Sequence, residues 1–232
     1  MAYMVPETVE SFAADGEERV YRFLKNAAQP DRDYVCWYTP TIDDRQPDFV
    51  IYARFLGLVI IEVKDWAADQ FRHADPNRVT LEMGGHEVTR ANPLAQARNY
   101  AMMLLDAMSG KPRLTSRDPM FAGKTRIPVH WLAALPNTLR EEFKELGLAK
   151  VMDPAKTFFA EDLHPHSDLL CDTSGNRFRQ TLERMCPMPF PYRAESRDLD
   201  ELRALLFPEV HITLPRRNFD PQEEHKRLML LD

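Results

Sequence analysis

Apolar positions along the chain change period several times, and each change marks an element. From Val9 to Ala27 the residues Phe12, Val20, Phe23 and Leu24 recur at helical spacing, and Pro30 supplies the stop, so a helix is predicted there. Tyr34 to Tyr38 is rich in aromatic and β-branched residues and reads as a strand. Asp48 to Tyr52 and Leu58 to Val63 read as two further strands, joined by a short turn containing Gly57. The second is apolar on both faces, which predicts a central place in a sheet. Arg78 to Glu82 and His86 to Thr89 flank Gly84-Gly85, a hairpin signal. A helix is predicted from about Pro93 to Met108, with proline where a first turn tolerates it. Ile127 to Leu135 is an apolar strand closed by Pro136-Asn137. Thr138 to Leu146, Arg177 to Met185 and Leu199 to Phe207 read as helices, and Lys156 to Phe159 as a further strand.

This order predicts an α/β fold whose mixed central sheet, of about five strands, is flanked by helices and followed by a C-terminal extension. Pro187, Pro189 and Pro191 place a composition break after Cys186. The expected organisation is therefore one domain over residues 1–186 and a proline-containing linker and tail over 187–232. The longest apolar run, Leu58 to Ile61, is far too short to span a membrane. The N-terminus has no basic stretch followed by an apolar segment, so no membrane association and a cytoplasmic location are expected. Cys36, Cys171 and Cys186 are odd in number and scattered, which argues against a disulfide framework and a structural zinc site.

The formal net charge of -6 speaks against a uniformly basic nucleic-acid binder. Local distribution qualifies this. Between Gly110 and Arg126 the chain carries Lys111, Arg113, Arg117, Lys124 and Arg126 against the single acid Asp118, so this loop-like stretch is a candidate for holding backbone phosphates. Gly123-Lys124-Thr125 ends like a nucleotide-binding loop, but Asp118 replaces the required earlier glycine and a strand follows where a helix should.

The candidate chemistry lies in Asp48 and Glu62-Val63-Lys64. Glu62 and Lys64, two apart in a strand, leave the same face of the sheet. Asp48 shares that face only if the turn before Gly57 holds an odd number of residues, for example three with Gly57 in a left-handed conformation. Two carboxylates converging beside an apolar sheet repel one another, and a hard divalent cation resolves the conflict. Mg²⁺ is the expected ion, with Mn²⁺ as a substitute. Lys64 is suited to orient a water or to stabilise negative charge on a phosphate.

The segments GEERVYRFL, PDFVIYARFLGLVIIEVKDW and NPLAQARNY together resemble the NERD (nuclease-related) domain, a branch of the PD-(D/E)XK phosphodiesterase superfamily, over roughly Gly16 to Leu105. The resemblance implies a restriction-endonuclease-like core and a DNA-cleaving activity. It makes Asp48 and Glu62 metal-binding acids, Lys64 the catalytic lysine, and Glu17 a further metal ligand, with Glu18 as the alternative. Gln96, within Asn92-Pro93-Leu94-Ala95-Gln96, and Tyr100, four residues on, match a glutamine–tyrosine element of related nucleases. Gln96 is then expected to position substrate or water, and Tyr100 to contact substrate.

Leu206-Phe207-Pro208-Glu209-Val210 and Phe219-Asp220-Pro221-Gln222-Glu223 resemble the junction between such domains and UvrD-like helicases. The expectation is the N-terminal nuclease portion of a helicase-nuclease, with a helicase partner in cis or in trans. A standalone nuclease with a vestigial or partner-binding tail is the alternative. Two other functional readings stay open: a non-catalytic nuclease-fold module that docks DNA or a helicase, and an RNA nuclease.

Overall fold

A computed structural model of the protein describes residues 2–195 and 197–206. The tail stretches quoted above, Phe207 to Val210 and Phe219 to Glu223, lie outside the described residues. The fold is a mixed α/β, restriction-endonuclease-like core built on a six-stranded sheet. Its strands are β1 (Tyr3–Val5), β2 (Tyr34–Tyr38), β3 (Phe49–Ala53), β4 (Gly57–Val63), β8 (Val129–Leu135) and β9 (Thr157–Phe159), in that spatial order. Only β3 runs against the others. A separate three-stranded sheet comprises β5 (Phe71–Ala74), β6 (Arg78–Met83) and β7 (His86–Ala91). The helices are α1 (Asp15–Ala27), α2 (Pro93–Ser109), α3 (Arg140–Glu145), α4 (Asp168–Cys171), α5 (Asn176–Met185) and α6 (Asp198–Leu206).

The wide sheet has a layer on each face, assigned by strand parity. Phe49, Ile51, Val59, Ile61 and Val63 share a core with Val20, Phe23 and Leu24 of α1 and with Phe178 and Leu182 of α5. The alternate residues Val50, Tyr52, Leu58 and Ile60 pack with Ala97, Ala101, Leu104 and Met108 of α2 and with Leu202 and Leu206 of α6. Every residue of β4 is buried, as its two apolar faces predict. A third core joins Val79 and Leu81 of the small sheet to Trp66, Leu135, Phe143 and Phe159.

Three features depart from the pattern read along the chain. The first helix begins at Asp15 rather than near Val9. Phe12 instead precedes the helix and sets its ring edgewise against Tyr21, with centroids 5.3 Å apart, so an apolar residue at helical spacing packs half-buried against the core without being helical. The sheet gains β1, a three-residue edge strand paired with β2, a contact no local pattern announces. The predicted hairpin gains β5 as a third strand.

Candidate active site

The turn between β3 and β4 decides whether the three central side chains meet. Ala53 pairs with Gly57, which leaves Arg54, Phe55 and Leu56 as a three-residue loop. Gly57 has a φ of 100°, a conformation that favours glycine. The register runs on to Phe49 opposite Ile61, so the next step sets Asp48 opposite Glu62. Asp48, Glu62 and Lys64 therefore have the same parity and meet at the C-terminal end of β4, as the odd-membered turn requires.

Their contacts are tight. The Val63 N–H donates to Oδ2 of Asp48 at 2.7 Å. Lys64 donates from Nζ to Oε1 of Glu62 at 2.5 Å. Glu62 is only 1% exposed, and its second oxygen, Oε2, is buried without a hydrogen-bond partner. Burial first, then the neighbouring Asp48 and Glu17 charges, push the Glu62 carboxyl up to about 7, against the lowering pull of Lys64. Burial also raises Asp48 to about 6, opposed by the Val63 N–H and Lys64 and reinforced by Glu17. Two acids are thus held where their ionised forms are costly, with one ammonium between them.

Glu17 reaches this end of the sheet from the first turn of α1. Its Oε2 accepts a hydrogen bond from the Tyr38 hydroxyl at 2.6 Å, and burial followed by this bond raises the Tyr38 pKa. Glu18 instead pairs with Arg22 one helical turn on. Of Glu17 and Glu18, Glu17 is the one in the field of Asp48 and Glu62. Among the described residues, no group of three His, Cys, Asp or Glu side chains stands ready to grip an ion. Lys64 occupies one oxygen of Glu62, Val63 one oxygen of Asp48 and Tyr38 one oxygen of Glu17.

Gln96 lies in the first turn of α2, which Asn92 caps by accepting from the Leu94 N–H. The amide nitrogen of Gln96 donates to the Tyr100 hydroxyl at 3.2 Å, so the two residues form one unit on a helical face.

The basic segment is not brought to the acids. It leads into the N-terminal end of β8, and Val129 pairs with Leu58, whereas Glu62 pairs with Ala133 four residues later. At about 3.3 Å per residue, that is the far end of the sheet. Two of its cations are also engaged. Arg126 is ion-paired with the buried Asp198, and Arg113 with Glu201 at 2.5 Å, both partners lying on α6. Lys111, Arg117 and Lys124 remain exposed. Gly123-Lys124-Thr125 lies in a turn closed by the Lys124 N–H donating to Phe121 O, and no helix follows before β8.

Sequence reading missed Asp65 and Asn137. The side-chain amide of Asn137 donates to Oδ1 of Asp65, and the Gly16 N–H donates to Oδ2 of Asp65 at 3.3 Å. Asp65 directly follows Lys64, which is the one signal that could have nominated it; Asn137, at a turn, carried none.

No curated protein and no solved structure matches the chain. The family model of the nuclease-related domain matches residues 13–135, from just before α1 to the last residue of β8. The matched span contains Glu17, Asp48, Glu62, Lys64, Gln96 and Tyr100. Because it covers just over half of the 232 residues, the chain belongs to the NERD, or nuclease-related domain, family.

Proposed function

We propose that the protein is a metal-dependent nuclease that hydrolyses DNA phosphodiester bonds at Asp48, Glu62 and Lys64. The observation that carries this is the buried, unpartnered Oε2 of Glu62 beside the raised Asp48 carboxyl. A buried acceptor left bare costs about 1–3 kcal/mol, more when charged, and folds keep such groups for a reason. An all-oxygen donor set of two or three carboxylates fits a hard divalent ion, Mg²⁺ or Mn²⁺. Asp48 and Glu62 would hold it, with Glu17 as a further ligand.

When bound, such an ion supplies Lewis acidity toward the scissile phosphate and lowers the pKa of water. The chain's own residues do the rest. Lys64, partly exposed and flexible, can turn its ammonium from Glu62 to a phosphate oxygen, where it neutralises charge gathering as water attacks phosphorus. The bridging P–O bond then breaks as the new P–O bond forms, and the leaving oxygen takes up, through solvent, the proton that the attacking water gives up. Gln96, whose carbonyl oxygen stays available while its NH₂ engages Tyr100, can orient the water without adding charge. The exposed Lys111, Arg117 and Lys124 would hold the backbone beyond the cleavage point. The resemblance of Leu206 to Val210 and of the Gln222 stretch to helicase junctions supports a helicase partner, in cis or in trans.

The deciding experiment incubates the protein with plasmid, single-stranded DNA and RNA, with and without Mg²⁺. Cleavage that needs the ion and falls by about 10²-fold or more in Glu62→Ala and Lys64→Ala is expected. Equal background in wild type and variants would leave a DNA- or helicase-docking module, and cleavage confined to RNA would change the substrate.

A further inference from the structure

The α1 helix has no cap of its own. Its N-cap position is Ala14, which offers no side-chain oxygen; the Glu17 and Glu18 N–H groups share the Ala14 carbonyl, and the Gly16 N–H finds its acceptor outside the local chain. The acceptor for Gly16 is Asp65, distant in sequence and adjacent to Lys64. Three observations show how close this junction is. A Cβ on Gly16 would stand 2.8 Å from Oδ1 of Asp65 and 3.1 Å from Cγ of Pro136, so a larger residue there would have to push the Asp65 carboxylate aside. Asn137 grips the other oxygen of Asp65 and its backbone carbonyl, the latter at 3.4 Å. Arg19, on α1, donates to the Asn137 amide oxygen at 2.6 Å. The chain is closed: β4 end to Asp65, to Asn137 after β8, to Arg19, and back along α1 to Gly16.

Glu17 is the residue after Gly16, and its Oε2 accepts at 2.6 Å from the hydroxyl of Tyr38, which pairs on the sheet with Phe49, the neighbour of Asp48. We propose that Asp65 is a positioning residue: its carboxylate, clamped between Gly16 and Asn137, registers the start of α1 against the end of β4 so that Glu17 faces Asp48 and Glu62. The inference rests on the reading that these three carboxylates form one divalent-ion site. A carboxylate at a helix N-terminus is also favoured by the helix dipole, so the clamp holds without a capping residue in the local sequence. Partners that orient a metal ligand in this way are commonly worth 10–100-fold in affinity.

The test is a double-mutant cycle read by Mn²⁺ binding calorimetry on the full chain, with thermal unfolding alongside. Asp65→Ala and Glu17→Gln are each expected to weaken Mn²⁺ binding by about tenfold. The double variant should be no weaker than Glu17→Gln alone, because Asp65 acts only through Glu17. Asp65→Asn, which keeps an oxygen for Gly16, should recover most of the loss. If Asp65→Ala does not fold, Asn137→Ala loosens the same clamp from its exposed side and completes the cycle. Losses that simply multiply in the double variant, or wild-type affinity in Asp65→Ala, overturn the positioning role and leave the ion site standing. A wild-type chain that takes up no Mn²⁺ overturns the ion site and this inference together.

Discussion

Glu62 concentrates the conflict on which the site is built. Its carboxyl is buried, lies opposite another acid, and is relieved by one ammonium on one oxygen. Both acids have folded-state values raised above the ordinary carboxylate range, so the folded protein holds more protons than the unfolded chain between about pH 4 and pH 7. The sign follows: with respect to these groups stability is greatest at low pH and declines as pH rises through that window. Glu62→Gln removes one of the two ionisations. Measured without divalent ions, its melting temperature relative to wild type should climb by a few degrees from pH 5 to pH 8; a flat difference would show that Glu62 ionises without cost. On the proposed ion site, protons and the cation would compete for the same oxygens, and wild-type Mn²⁺ affinity should then strengthen over the same range and level off above about pH 7.

Among the elements, the β3–β4 turn sets everything else. Three residues, ended by a glycine at φ 100°, bring Asp48 to the same parity as Glu62; a two- or four-residue turn would send it to the opposite face. Gly57 is constrained twice, because a Cβ there would also stand 2.5 Å from the Pro128 carbonyl oxygen. Gly57→Ala therefore adds a left-handed penalty of about 1–2 kcal/mol to a backbone collision. A loss of about 2–4 kcal/mol in urea unfolding is expected, together with loss of any Mg²⁺-dependent cleavage. Retention of both would mean that the turn tolerates another shape.

Across the whole molecule, α6 closes over the sheet on α2's side and ties down the basic segment. Asp198 is fully buried, and it accepts from Arg126, from the Tyr192 hydroxyl at 3.2 Å and from the Glu195 N–H at 2.8 Å. Removing one partner of a buried pair strands the other, at about 3–5 kcal/mol. Asp198→Ala and Arg126→Ala should thus both lower the melting temperature. Lys124→Ala, an exposed change, should leave it alone and instead reduce the slope of log affinity for DNA against log salt by about one. The reverse assignment, with Arg126 controlling the salt slope and Lys124 stability, would contradict the division drawn from their burial. Among the described residues no helix is long and apolar enough to cross a membrane.

Much of this was legible in the chain itself. Periodicity located β2, β3, β4, β8, the β6–β7 hairpin and α2, because each buries a face whose alternation is written locally. The spacing of Glu62 and Lys64 fixed their common side for the same reason. The sequence could state the condition under which Asp48 joins them, and the strand pairing met it. What lay beyond local pattern was every contact between segments distant in sequence: β1 beside β2, Phe12 packed on Tyr21 without being helical, and Asp65 capping a helix that begins 50 residues earlier. The same holds for charge. Five cations in one short stretch look alike along the chain, yet the fold spends Arg113 and Arg126 on α6 and leaves three facing water. Burial and ion pairing are properties of neighbours in space, so side-chain chemistry could be nominated from the sequence, while its partners and its electrostatic state were decided by tertiary packing.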